Sequence, residues 1–595
     1  MPIYRTPANA STPDSGRAQP NGAARVLRGV QAVLLLVAAV FLALHFVHLT
    51  ADFPNYTEWR DWSKFTDEGW YGDAAIRHYE LGHWNVPGDF NPAAALPVWP
   101  VLEVLLFRFT GVGLGAARAL TVTIFALILT ASYLLLRRWQ GSAEGRPWSI
   151  GPAVCTFLLA VSPFCFAFMH LAILEPLLIL LMLVALRVAS AAGIALLRVE
   201  LESPSIDGRT TDRKLRRNCV LYTVVLGVLF PLMVLTKTTA IFLFPSVLWM
   251  LLGSAGYRLR PFLRIALPAA AIGAALWGAY FGLFVRPHFL EDYRYLYSAN
   301  TYTESTLKTF LPILGDTIYD GIWMGRIVYA LALVSVVGSL PSLFSKRYRR
   351  PLPGALLLWV FGYAAFLAYH NNLQPRYYLV LAIPLTMLVG IVYDQLIHAA
   401  VGGIAGRAGQ PAAHADTLLL RLFVGFVTLC IAAAAVNGGR HTLHFVLHPA
   451  YTYIDAARNI GRDIRTEIAA HPDSGLSPLL LSRSGADLSL MNGIPSICDE
   501  FGTTGLPDRI AAYRPSWYAT WNEVEDDKMD DFTPAYRLER VSAYPVMDDP
   551  DRNLLVLYRV VPTGAPAAPQ FQKQRPGGRM LGRLRPKPGA EQAEE

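Results

Sequence analysis

What most constrains this chain is a recurring apolar run. Stretches of about 18 to 25 residues, long enough to cross a hydrocarbon core about 30 Å thick, return along most of its length. In lipid every backbone N–H and C=O must find its partner within the protein, which makes helical spans the economical reading. The 595 residues are 53% hydrophobic and only 16% charged, too apolar for an ordinary soluble protein. The runs are Gly29–Leu49, Arg118–Leu136, Ser149–Phe168, Ile173–Leu197, Cys219–Leu235, Thr239–Gly253, Ile265–Phe284, Trp323–Phe344, Leu352–Tyr369, Tyr377–Ile397 and Leu418–Val436. They predict a polytopic α-helical membrane protein of about eleven spans. Residues 1–24, rich in Pro, Ala, Ser and Asn, read as a disordered N-terminus. The first run follows Arg25 and Arg28, is long for a signal-peptide core and reads as a retained anchor.

The net charge of +8 carries no nucleic-acid reading, because Arg and Lys cluster in short loops between spans, as orientation determinants do. Arg25 and Arg28, Arg137-Arg138 with Arg146, the cation-rich Arg198–Arg217, Arg258, Arg260 and Arg264, and Lys346-Arg347-Tyr348-Arg349-Arg350 are expected in the cytoplasm. These loops alternate correctly only if Leu96–Phe109, which contains two prolines, Glu103 and Arg108, does not cross. It reads as an interfacial helix on the outer face, within a first outer loop spanning residues 50–117. Asp67-Glu68, Glu175, Lys237, the Arg286–Tyr319 loop, His370–Arg376 and everything after Val436 then share the extracytoplasmic side.

Past the membrane core at 25–436 the character changes. Ser477–Ser482, Pro495–Cys498 and Asn553–Tyr558 read as strands, and Ala486–Met491 and Leu506–Tyr513 as helices. A small extracytoplasmic α/β domain at 437–565 follows, with a Pro/Gly-rich tail at 566–595 expected to be disordered. The five cysteines, Cys155, Cys165, Cys219, Cys430 and Cys498, are scattered and form no disulfide framework.

Few polar groups stand at the outer ends of the spans. Asp67 and Glu68 sit among Tyr56, Trp59, Trp62, Phe65, Trp70 and Tyr71, which as an aromatic belt with a solvated acidic turn would be unremarkable at a bilayer surface. Glu175 opens an unbroken apolar span, where an acidic group is costly and points to function; before Pro176 it also suits a helix N-terminus. Lys237 divides two apolar runs, and either snorkels as an anchor or offers an ammonium to a phosphate. Arg376 opens a span from the outer side against the orientation rule, and its guanidinium suits a phosphate oxygen pair. His441, His444 and His448 fall on one helical face without a further obvious metal ligand, and Asp499-Glu500 with Glu523–Asp531 read as solvated surface. No Walker loop or Rossmann fingerprint is present, which argues against an ATP-driven pump.

The order of these motifs carries a resemblance. A first span precedes an outer Asp-Glu with Tyr and Ala behind it (Asp67–Ala74), and then a Pro-rich amphipathic segment ending in Gly and Arg (Gly111–Arg118). A Glu-Pro span opening (Glu175-Pro176), a Leu-Thr-Lys turn (Leu235–Lys237) and Arg-Tyr before a late span (Arg376-Tyr377) follow. Over roughly Gly29–Ile397 the chain resembles the GT-C superfamily of polyprenyl-phosphate-sugar-dependent glycosyltransferases, close to protein O-mannosyltransferases and lipid A aminoarabinose transferases. The resemblance implies Asp67 as catalytic base and Glu68 as its partner in orienting the loop or acceptor. It implies Glu175 near the donor sugar, or near a divalent cation where one is used, and Lys237 and Arg376 with Tyr377 on the lipid phosphate. Relatives often carry Arg shortly before the Glu-Pro; His170 and Ala172 stand in that neighbourhood, and His170 takes the donor-side role.

The chemistry is coherent on its own terms. A transferase working outside can use a sugar carried across the membrane on a polyprenyl phosphate. One positioned carboxylate serves as base towards an acceptor hydroxyl of protein, lipid or glycan, fixed cations stabilise the departing phosphate, and a single displacement inverts the anomeric centre. A transporter or flippase for a lipid-linked glycan or other anionic lipid is the alternative, but it would place its charges near the bilayer midplane in repeated halves, and no repeat is visible. The compact loops and lack of an ER retrieval signal lean towards a bacterial inner membrane.

Overall fold

The structure, a computed structural model, describes residues 22–52, 64, 67–144, 149–201, 209–299, 306–345, 348–370, 373–406, 411–483, 485–546 and 552–565. Among them nine helices are long and apolar enough to cross a membrane, and two shorter apolar stretches, Gly151–Val161 and Thr238–Ser254, lie between them. Each of the eleven expected runs falls on one of these. The N-terminal helix α1 is Gly22–Leu44, starting three residues inside the tail expected to be disordered. Residues 1–21 and 566–595, and the aromatic residues Tyr56, Trp59, Trp62 and Phe65, lie outside the described residues.

The elements follow as α2 (Asp67–Glu80), α3 (Val98–Thr110), α4 (Leu114–Glu144), α5 (Gly151–Val161), α6 (Pro163–Phe168), α7 (Leu174–Leu201), α8 (Arg209–Thr236), α9 (Phe244–Ser254) and α10 (Leu259–Tyr280). The chain then runs through α11 (Arg286–His288), α12 (Leu290–Ala299), α13 (Leu307–Asp320), α14 (Arg326–Ser339), α15 (Pro341–Phe344), α16 (Pro351–His370), α17 (Tyr378–Gly406) and α18 (Pro411–Leu447). Where a loop was expected at Arg286–Tyr319, there are three helices entered through a π-helical turn, Phe281–Val285. One span is broken: α5 ends at Ser162, whose hydroxyl accepts the Cys165 N–H at 3.2 Å and so caps α6.

α17 is the most enclosed span, packed by α5, α14, α16 and α18, while α1 lies at the periphery. α3 has thirteen residues, about 20 Å, too short to cross. Its periodicity is that of a helix lying on a surface: Trp99, Glu103 and Phe107 are buried, and Val101, Leu105 and Phe109 are exposed.

α18 runs past the expected span end at Val436 to Leu447, so the C-terminal domain starts with α19 (Thr452–Ala470). Its five-stranded sheet has the order β2-β1-β3-β5-β4, with β1 (Leu480–Ser482), β2 (Ser496–Cys498), β3 (Trp517–Trp521), β4 (Tyr536–Pro545) and β5 (Leu554–Pro562). β1 pairs in parallel with β2 and β3, and β5 runs antiparallel to β3 and β4. Helices α20 (Ala486–Asn492), α21 (Leu506–Tyr513) and α22 (Asp526–Phe532) complete it. Asp499, expected on a solvated surface, is buried instead: its Oδ2 accepts the Tyr518 hydroxyl at 3.0 Å, because the residue ends the β2 edge beneath α22. Burial raises that carboxyl to about 6.

Candidate active site

The acidic doublet opens α2. An acidic first turn suits the positive end of a helix dipole, and both side chains are buried beneath the C-terminal domain. Glu68 is fully occupied. Arg118, at the start of α4, grips it with two bonds, Nε to Oε1 at 2.8 Å and Nη2 to Oε2 at 2.6 Å. The Ala172 N–H, just before α7, donates to Oε1 at 2.9 Å. Arg118 also donates to the Leu49 carbonyl at 3.2 Å and to that of Ala51. Glu68 thus ties α2 to α4 and to the entry of α7.

Asp67 faces a different set. Its Oδ2 lies 3.0 Å from Arg376 Nη1, on the short 3-10 turn Pro375–Tyr377 that leads into α17. Arg376 Nε stands 3.9 Å from Glu175 Oε1, and Lys237 Nζ pairs closely with that same oxygen. Glu175 lies in the first turn of α7, and Lys237 in the extended residue between α8 and the 3-10 turn Thr238–Leu243. The Tyr377 ring lies under both cations, with Lys237 Nζ 4.6 Å and the Arg376 guanidinium 4.8 Å from its centroid. Its hydroxyl accepts from Arg376 Nη2 at 3.2 Å. Tyr71, one turn beyond Asp67, completes the cluster; burial, then the Asp67 charge, holds its hydroxyl well above the ordinary tyrosine range. Two carboxylates and two cations balance in a buried site assembled from four separate stretches of chain.

Asp67, Glu175, Lys237, Arg376 and Tyr377 therefore come together, with Glu68 alongside. His170 does not join them. Its ring stacks on His45 at 5.4 Å, its Nδ1 lies 2.6 Å from the Phe166 carbonyl, and it lines a small cavity of about 40 Å³ with Arg118, Asp52, His48 and His448. Burial pushes its imidazole down to about 4, so it is neutral at physiological pH. A larger cavity of about 160 Å³ lies against α2 and the start of α3, lined by Asp73, Trp84, Pro97, Val101, Tyr280 and Phe284.

Among the described residues no three His, Cys, Asp or Glu side chains form a metal-ligating group. Asp67 and Glu175 each face a cation, so the arrangement does not fit a divalent ion. The sequence assigns no role to Arg118, to Tyr71 or to Asp487, whose Oδ1 accepts the Gly69 N–H at 3.0 Å. For Arg118 a signal existed: like Arg376, it opens a span from the cation-poor end.

No family profile matches the chain, and no curated protein does either. Among solved structures, ArnT from Cupriavidus metallidurans in the apo state superposes with a TM-score of 0.52 and 16% identity, covering 89% of this chain and 98% of that one. The same protein bound to undecaprenyl phosphate gives 0.51 and 18%, covering 91% and 99%. An Archaeoglobus fulgidus oligosaccharyltransferase gives 0.45 and 13%, covering 88% and 76%. Over about nine-tenths of its length, membrane bundle and C-terminal domain together, the chain has the fold of the ArnT structures.

Proposed function

We propose that the protein is a membrane glycosyltransferase that moves a sugar from a polyprenyl phosphate to an extracytoplasmic hydroxyl, with inversion. The observation that carries this reading is the convergence of Asp67, Glu175, Lys237 and Arg376, distant in sequence, on one buried, charge-balanced cluster. An ArnT structure holding undecaprenyl phosphate adds support through the shared fold. The cavity walled by α3, the end of α10 and the π-helical turn at Phe284 has the mostly apolar lining an isoprenoid chain needs.

Each residue then has a task. The donor phosphate competes with Asp67 and Glu175 for Arg376 and Lys237, and drawing Arg376 away uncovers Asp67. The acceptor oxygen attacks the anomeric carbon and gives its proton to the Asp67 carboxylate. The carbon–oxygen bond to the phosphate breaks, its electron pair stays on the phosphate oxygen, and the two cations stabilise that charge. Attack from the face opposite the leaving group inverts the centre. Glu68, saturated by Arg118 and Ala172, holds α2 and takes no proton. His170 lies outside the cluster and keeps only a supporting place beside Arg118.

Purified protein in lipid nanodiscs with labelled polyprenyl-phosphate sugars tests this. Asp67→Asn is expected to bind donor and to lose transfer by about 10²- to 10⁴-fold. Lys237→Met and Arg376→Gln are expected to lose donor affinity. Transfer untouched in Asp67→Asn, or no sugar donor bound by the wild type, overturns the assignment.

A further inference from the structure

We infer that Asp487, on the C-terminal domain, is a positioning residue for the Asp67–Glu68 turn, capping the first turn of α2 from 418 residues away. Gly69 is the third residue of α2, and its N–H has no partner within the helix. Asp487 Oδ1 accepts it at 3.0 Å, and Oδ2 accepts the Tyr453 hydroxyl at 3.0 Å. Tyr453 is itself fixed, since Asp52 Oδ2 accepts its N–H at 2.9 Å. The absence of a side chain at Gly69 allows the contact: a Cβ there would fall 2.0 Å from the Asp487 nitrogen.

The turn is thus held from two sides. Glu68 is bound to the membrane bundle through Arg118 and Ala172, and Gly69 to the C-terminal domain through Asp487. Asp67 has little freedom left between them. Burial, then the neighbouring Glu68 charge, holds the Asp487 carboxyl well above its ordinary range. An amide fits the same cradle, its oxygen accepting from Gly69 and its NH₂ donating to the Tyr453 hydroxyl oxygen once that hydroxyl turns its own proton away. The pair Asp487→Asn and Asp487→Leu therefore separates capping from charge and from bulk.

The role in transfer rests on the proposed function, whereas the cap itself does not. The full-length variants are compared in nanodiscs by steady-state transfer and by hydrogen exchange of the peptide containing Gly69. Asp487→Asn is expected to keep wild-type kcat and amide protection. Asp487→Leu is expected to lose protection and about 10²-fold in kcat at unchanged donor KM, as misplacing a reacting group does. Tyr453→Phe, the milder change, should fall between them and covers a Leu variant that does not fold. Unchanged protection in Asp487→Leu, equal damage in Asp487→Asn, or protection lost without loss of kcat overturns the inference. If the wild type transfers no sugar, the transferase reading fails, and the exchange experiment still decides whether Asp487 caps α2.

Discussion

Arg118 stands where an arginine is least expected, buried at the cation-poor end of a membrane bundle, and its environment explains why it is tolerated. Both Glu68 oxygens and two backbone carbonyls satisfy its planar fork. Truncating it leaves the Glu68 carboxylate buried without a counter-charge, and breaking a buried pair from one side costs about 3–5 kcal/mol. Arg118→Ala should therefore be destabilised on that scale in detergent unfolding, and Arg118→Lys should be rescued only in part, since an ammonium cannot reproduce the bidentate grip. Removing both charges in Glu68→Gln/Arg118→Met should recover much of the loss, because an apolar replacement leaves no charge stranded. A double variant no better than Arg118→Ala would contradict this account.

At the level of elements, the same device recurs: a carboxylate distant in sequence caps the first turn of a helix. Asp394 in α17 accepts the Ile150 N–H at 2.8 Å and serves α5, Asp52 serves α19, and Asp487 serves α2. This explains what the sequence makes legible. The spans are readable because apolar runs are local signals, and α3 because the basic loops alternate correctly only if it does not cross. Asp67, Glu175, Lys237 and Arg376 stand out because charge at a span end is rare. The caps are not readable, since Asp487 and Gly69 share no local pattern. β3, β4 and α19 also pass unnoticed; β4 is half-exposed and mixes Arg, Glu and Ser with its apolar residues. Helix α2 carries a pH signature. Burial raises the Asp73 carboxyl from 3.8 to about 8 against the pull of Arg77 and with a further push from Asp89. Between those values the folded protein binds the proton that the unfolded chain has lost, so stability is greatest at the acid end and falls as pH rises to about 8. Melting temperatures measured across that window should decline more steeply in wild type than in Asp73→Asn. Glu80, likewise raised to about 8 by burial, should leave a residual slope.

Across the whole molecule the two ends of the bundle differ in what their cations do. At one end Arg118 and Arg376 are buried against Glu68 and Asp67, and the C-terminal domain sits over them. At the other end Arg137 and Arg138 lie in the C-terminal part of α4, Arg258, Arg260 and Arg264 surround the start of α10, and Arg349 and Arg350 precede α16. Cations in short loops beside span ends determine orientation, whereas paired, buried ones and those in long translocated domains count for little. The basic end is therefore expected in the cytoplasm, with the cluster and the C-terminal domain on the far side. That placement also suits the chemistry, since a lipid-carried sugar is needed only where nucleotide sugars are absent. The five native cysteines are buried or half-buried, so introduced thiols at exposed positions report cleanly. In intact cells a membrane-impermeant maleimide should label Asp473→Cys on the C-terminal domain. Arg260→Cys, at the opposite end, should react only after the membrane is permeabilised. The reverse pattern would put the cluster on the cytoplasmic face and remove the reason for a polyprenyl-linked donor, while leaving the fold and the ion pairs as they stand.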